Sequence, residues 1–398
     1  MDKRIIAIIV VAIVVVAGVA TFVVLQNNRS DVKYDDASFN VIGRVNSEGS
    51  GLYIKDNLVI FGTGSVMPAR ASNNVPFFGK NYSLSTDNKD AWGGLIFGDP
   101  GVSSIQHTQL ASIASSVGLK LEAYKDGQSI ANDTLYYITN LANYNVIHNN
   151  DIINGGIIWE PQFQRVVQED GRYEQLALTN DVFSGHTCCI IAANHNWAQS
   201  NHDTVVKFLA GYMDAVNFMV NAIEKGGSDY DELVTIAMNA TVLLSKPEVE
   251  DALANISYLY ADNKDGDLSK LEKDISSLSS DLKDLGVITS KKFNNPDKFA
   301  DAFVDDSYVK DAAAGKATKT IGATVNVAVI DGDIHQLAIH VAIAKSYFAD
   351  YGLNVTLAKG ANGGEIATLL LSKDVNIGFL GAPPATSNTI NGDHILVG

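Results

Sequence analysis

A cysteine framework is missing. The 398 residues hold two cysteines, Cys188 and Cys189, and they are neighbours. Disulfide scaffolds need cysteines separated along the chain, so this fold does not depend on one. The pair reads as two small buried side chains in an apolar strand, or as a vicinal thiol pair with redox chemistry. Positive charge is also short. Against 45 Asp and Glu stand only 29 Lys and Arg, a formal charge of −16. Phosphate backbones and anionic lipid both attract basic surfaces, so no nucleic-acid partner is expected. Nor is there a Ser–His–Asp order, a convincing metal-ligand cluster or a phosphate-cradling glycine loop. Catalytic residues, cofactors and a bound metal therefore have no foundation here, and a non-enzymatic role is expected.

Long apolar runs are scarce too, with one exception. Ile5 to Leu25 is an unbroken stretch of apolar and small residues preceded by Lys3 and Arg4. About 20 apolar residues span a bilayer core. The positive flank would leave the rest of the chain outside the cytoplasm. A cleaved signal peptide is the alternative, with Gly18-Val-Ala20 as a small-x-small site, although signal cores are usually shorter. No cysteine near the end of the run offers a lipid anchor. The expectation is a transmembrane anchor or signal sequence over residues 1–26, a polar tether over 27–36, and a domain held at the cell membrane on the extracytoplasmic side.

What remains is the composition of a folded protein, 46% hydrophobic and 19% charged, long enough for two or three ordinary domains. The end of the chain is the most informative part. Val325–Ile330, Leu353–Leu357 and Val375–Leu380 are short apolar runs separated by helical patterns, the strand–helix rhythm of a parallel sheet. Such a unit needs more strands beside it, and these must come from upstream. Upstream strands are expected at Phe39–Val45, Leu52–Ile54, Leu95–Phe97, Leu119–Ala123, Ile152–Trp159, Gln175–Leu178 and Thr187–Ala193. Between Asn57 and Lys89 no period is clear, and a long loop or insertion is expected. Helical spacing follows Ser103 and Ser104, a natural N-cap pair. Thr134 to Ile147 reads as helix, as do Asp203 to Lys225 and all of Asp231 to Lys310, while Asp311–Thr324 reads as a linker. Asp262–Asp267 resembles part of a calcium loop, but the first ligand position would fall on Ala261, and a helix-separating turn is the better reading.

Several motifs together resemble the substrate-binding proteins of nitrate/sulfonate/taurine-type ABC importers, a family with relatives among the thiamine-pyrimidine synthases. They are Asp333-Ile-His335, Tyr347–Leu353, Gly363-Gly-Glu365, Leu371–Gly378, Gly381-Ala-Pro-Pro384, Asn46–Ser50, Gly101–His107, Gly155–Pro161 and Ile256–Tyr260. They cover most of residues 39–56, 91–310 and 325–398. The departure is the order: in the family, the stretch like 325–398 comes first. The chain thus looks circularly permuted, with Asp393–Gly398 and Phe39–Val45 competing for one strand position. A fragment of a tandem chain and exchange between neighbouring molecules are the alternatives.

The resemblance implies an α/β, bilobal type II periplasmic-binding-protein-like fold, with two parallel-rich sheets and flanking helices. Lobe 1 would comprise 37–94 and 153–398, including helices over 231–310 and the displaced quarter 325–398. Lobe 2 would be 95–152. The implied function is capture of a small polar or anionic compound, with delivery to an ABC permease. A surface sensor or interaction module, or an enzyme on the same fold, stands as the alternative.

Ligands in open α/β sheets bind at the carboxyl ends of strands. That rule and the resemblance select the same positions: His335, Gly381, Ala382, Pro383, Ser47, Glu48, Ser103, Ser104, Trp159 and Glu160. Ser103 and Ser104 would offer a helix N-terminus to an anionic head. His335 could donate to an anion or cap a turn. Gly381–Pro383 would let backbone approach the ligand, and Trp159 would add an apolar face. Glu48 and Glu160 would repel an anion unless they face away or meet an amine. Arg44 is the one cation near these motifs; His107 and His186 read as structural.

Overall fold

The computed structural model describes residues 32–56, 76–241, 244–318 and 322–398. The expected membrane segment and the start of its tether lie outside these residues, as do positions 57–75 of the expected insertion. Among the described residues, no helix is long and apolar enough to cross a membrane.

Fourteen strands are described: β1 Val32–Tyr34, β2 Phe39–Glu48, β3 Ser50–Lys55, β4 Ile96–Gly98, β5 Lys120–Ala123, β6 Thr134–Ile138, β7 Gly155–Trp159, β8 Tyr173–Leu178, β9 Thr187–Asn194, β10 Ile256–Tyr258, β11 Ala323–Ile330, β12 Leu353–Gly360, β13 Ile377–Gly381 and β14 Ile395–Val397. Twelve of them form two six-stranded mixed sheets, ordered β10-β2-β9-β13-β11-β12 and β5-β6-β4-β7-β3-β8. The parallel strands near the end of the chain thus find their missing neighbours upstream. β11 pairs with β12 and β13 in parallel, and β13 pairs antiparallel with β9, which in turn pairs antiparallel with β2.

The sheets share one layout. The chain passes between them twice, from β2 to β3 through Gly49 and from β8 to β9. The strand just entered, β3 in one sheet and β9 in the other, runs antiparallel to both its neighbours. This is a mixed α/β, two-sheet architecture with flanking helices, and both sheets are mixed rather than the parallel-rich ones expected, because each entering strand runs against its neighbours.

Period-two alternation explains the cores. In β3, Leu52 and Ile54 enter one apolar cluster and Tyr53 enters another; in β7, Ile157 and Ile158 divide the same way. Successive side chains point to opposite faces, so the second sheet is covered on both. β2 is ten residues long and buried throughout, the pattern of a strand enclosed on both faces. The His202–Lys225 helix packs against the C-terminal strand–helix unit: Phe208 stacks on Phe348 at 4.9 Å and meets Phe379 at 6.3 Å.

Several expectations need correction. Thr134–Ile147 is not one helix: TLYYI forms β6, and only Tyr144–His148 is helical. Aromatic and β-branched residues favour a pleated, half-buried surface, and β6 sits between β5 and β4. The 231–310 section is interrupted by β10, which pairs antiparallel with β2 at Ile256↔Glu48. The linker is shorter than expected, because a helix runs over Ser307–Ala313. The lobe boundaries also shift. β3, β7 and β8 belong to the sheet of β4–β6, whereas the 37–94 and 153–398 division put them with the other. That division missed the crossover at Gly49. Finally, the competition for one strand position has a clear outcome. β2 takes the place in the sheet, and β14 pairs antiparallel with β1 in a separate two-stranded strip, Val32↔Val397 to Tyr34↔Ile395.

Candidate functional site

Loops from both sheets converge on a cavity of about 480 Å³. The reason is directional. β11, β12 and β13 run parallel, so their carboxyl ends share one edge, while antiparallel β9 brings its amino end, Cys188 and Cys189, to the same edge. The opposing wall comes from the segments after β4 and β6 and from the end of β7. Lining residues from the first sheet include Asp333, His335, Asn362, Gly363 and Gly381; those from the second include Ser103, Ser104, Asn140 and Trp159.

Two helix N-termini supply donors. In Ile105–Ser116, Ser104 is the N-cap and its Oγ accepts from the His107 amide at 3.1 Å. The preceding loop is pinned by Asp99, whose carboxylate meets His107 Nδ1 at 2.8 Å and accepts from the Gly101 amide at 2.8 Å. In Gly363–Leu371, Asn362 caps by accepting from the Glu365 amide at 3.1 Å. The first-turn amides of both helices have no intrahelical acceptor and carry the positive end of the helix dipole. A third helix, Ala382–Asn391, opens with Pro383 and Pro384, which have no N–H to give.

Six of the ten sequence-selected residues line the cavity: His335, Gly381, Pro383, Ser103, Ser104 and Trp159. Ala382, Ser47, Glu48 and Glu160 are not among the lining residues. The expected strand ends at Val45, but β2 continues to Glu48 and makes Ser47 and Glu48 part of the sheet. The Glu48 carboxylate faces away and accepts from the Gly185 amide at 2.8 Å and from Ser257 Oγ at 3.3 Å. Glu160 is fully buried. Its carboxylate accepts from Asn255 Nδ2 at 2.8 Å and Gln164 Nε2 at 3.0 Å, and burial pushes its carboxyl up. Arg44 is also committed elsewhere, to Asp262 and to Thr187 Oγ1 at 3.0 Å. Asp262 in addition accepts from the Lys270 and Leu271 amides at 2.7 and 3.1 Å, so the suspected cation loop works as a helix cap.

His335 is 1% exposed, and both its ring nitrogens are taken by the protein. Nδ1 lies 2.8 Å from Asp333 Oδ1 and Nε2 lies 2.8 Å from the Gly49 carbonyl oxygen. Both partners are acceptors, so both nitrogens must donate and the ring is an imidazolium. Burial opposes that charge, but the Asp333 carboxylate outweighs it and holds the group up at about 9. His335 is therefore an internal cation balanced by Asp333, with no ring nitrogen left for a ligand. Among the described lining residues there is no Lys or Arg. Charge on a ligand would be met by amides, hydroxyls and helix ends.

Thr139, Asn140, Asn362 and the two cysteines line the cavity and were not selected from the sequence. Asn140 has a φ of 66°, the conformation of a turn residue; the helical reading of 134–147 hid it. Asn362 follows β12, so the carboxyl-end rule, applied to that strand as well, would have found it. The cysteines sit at a strand's amino end, which the rule does not cover.

No family model and no curated protein matches the chain. Two solved structures overlap it. One is the ligand-binding component of an ABC-type import system from Staphylococcus aureus with zinc bound, 16% identical, covering 72% of this chain and 76% of its own, with a TM-score of 0.43. The other is the periplasmic nitrate-binding protein of Synechocystis PCC 6803, 10% identical, covering 70% and 67%, with a TM-score of 0.47.

Proposed function

We propose that the chain is a solute-binding protein that captures a small polar or anionic compound between its two sheets. The observation that carries this is the cavity itself: strand ends from both sheets and two helix N-termini meet at one space. Two crossovers joining two separately cored sheets are the arrangement that closes around a ligand by a hinge. Gly49 lies in one crossover, with a φ of 87°, and its neighbour Glu48 has a φ of 68°.

The lining narrows the ligand class. Asp333 and His335 cancel, and hydroxyls and amides remain beside the Trp159 ring. A compact anion or a neutral polar compound suits such a wall, with nitrate, sulfonates and taurine as the first to try. The Ile5–Leu25 segment would hold the protein at the outer face of the membrane, and an ABC permease would receive the ligand. The C-terminal strands would be the displaced first quarter of the fold, completed within one chain by β2 and β9. Binding is the whole reaction, with no bond made or broken in the ligand.

The test is a thermal-shift panel of small anions, amines and neutral polar compounds on the purified full chain. Saturating ligand at about 100 times Kd should add about 2.7 kcal/mol of stability. A panel without a single shift would remove the binding reading. With a ligand in hand, Ser103→Ala combined with Ser104→Ala should weaken binding by about tenfold or more, as expected for losing hydrogen bonds to a charged or strongly polar group. Unchanged affinity would rule out that helix start as part of the site.

A further inference from the structure

Adjacent residues in a regular strand point to opposite faces, yet Cys188 and Cys189 both line the cavity, with their Sγ atoms 3.8 Å apart. A bulge is the cause. Along the β2–β9 ladder Asn46 pairs with Cys189 and Ser47 with Thr187, so Cys188 has no cross-strand partner. The Asn46 side chain closes the gap, its Oδ1 accepting from the Cys189 amide at 3.2 Å. A bulge of this kind re-aims a side chain; here it turns two consecutive thiols toward one space. Both are free cysteines.

We propose that Cys188 and Cys189 form a redox-active dithiol on the cavity wall, oxidised to a vicinal disulfide by a small-molecule disulfide that enters the cavity. The two sulfurs differ in role. The two sulfurs lie within hydrogen-bond reach of each other and either can donate; interaction with Cys189, with the nearby His335 imidazolium adding to it, holds the Cys188 thiol below its ordinary range. Interaction with Cys188 and burial push Cys189 up. Cys188 is thus the attacking thiolate and Cys189 the resolving thiol.

The chemistry balances. The Cys188 thiolate attacks one sulfur of R–S–S–R, forming a mixed disulfide and releasing one RS⁻, which takes up the proton that Cys188 lost. Cys189 then loses its proton and attacks Cys188 Sγ, closing the internal bond and releasing the second thiol. Two protein S–H groups and one external S–S become one protein S–S and two external S–H groups. The two electrons pass to the small disulfide. The product is easily reversed. Neighbouring Cα atoms lie about 3.8 Å apart across a trans peptide, below the usual disulfide range of about 4.4–6.8 Å, and strained bridges are readily reduced.

The test treats the reduced full chain with a small aromatic disulfide whose released thiol is coloured, followed by intact-mass measurement. The wild-type chain should release two thiols, retain no reagent and lose the mass of two hydrogens. Cys189→Ser should release one thiol and retain one reagent group on Cys188. Cys188→Ser should likewise release one thiol and retain one reagent group, now on Cys189. Two reagent groups retained on the wild-type chain would show independent thiols and overturn the proposal. So would an inert folded chain that reacts only after denaturation. Where serine lowers the melting temperature, Cys188→Ala and Cys189→Ala repeat the comparison.

Discussion

One backbone oxygen, that of Gly49, receives donors from both halves of the molecule. His335 Nε2 reaches it from the first sheet at 2.8 Å, and the Glu160 amide from the end of β7 at 2.9 Å. The glycine is required twice. Its φ of 87° disfavours any side chain, and a Cβ would stand 2.3 Å from His335 Nε2 and 2.8 Å from Ile256 Cγ1. Gly49→Ala should therefore destabilise by about 1–3 kcal/mol or more, read by denaturant unfolding; a neutral effect would mean the crossover relaxes freely. His335 makes a second prediction. Its folded-state value of about 9 lies above the usual unfolded value of about 6.5. Its contribution is thus full below about pH 6.5 and is lost as pH rises through 9, a change of roughly 3 kcal/mol at most. His335→Gln should be the less stable chain at pH 6, with the gap closing by pH 10, in unfolding curves taken across that range. A gap that stays constant would show that the ring matters only by its shape.

At the scale of elements, the caps are the testable units. Ser104 and Asn362 each hold a helix start against the cavity, so Ser104→Ala should cost about 1 kcal/mol in unfolding free energy even without ligand. The sequence disclosed these elements unevenly. The strand–helix alternation of 325–398 was legible because parallel strands are short apolar runs and their connecting helices have a clear period. Ser103 and Ser104 were legible for the same local reason. β6 was not, since the apolar positions of TLYYI suit either period and only its neighbours β5 and β4 decide. β10 is three residues among helices, and nothing local sets it apart; its pairing with Asn46–Glu48 is what makes it a strand. That pairing also extends β2 past the expected strand end at Val45, which is why Ser47 and Glu48 left the predicted site. The cysteine pair was visible, but its orientation depends on a bulge defined by two strands more than 140 positions apart in the chain.

The molecule as a whole has a closed topology. β1 and β14 lie side by side, with Asp35 accepting a contact from His394 Nδ1 at 2.7 Å, and the ladder of Val32–Tyr34 with Ile395–Val397 joins them. If chain order is secondary to this packing, a chain begun at Ala323, carried through Gly398, joined by a tight turn to Val32 and ended at Thr318 should fold to the same structure. Matching circular dichroism and ligand affinity would support that, and an unfolded product would show that the present order is needed. The same strip has a mechanical consequence. Val32 and Val397 are cross-strand partners, so force applied at these two residues opens the strip rung by rung, like a zipper, instead of shearing all rungs at once. The first yielding event under tension should be small and occur at low force, with both sheets intact behind it. Only after it would load reach β2 and the six-stranded sheet that depends on it.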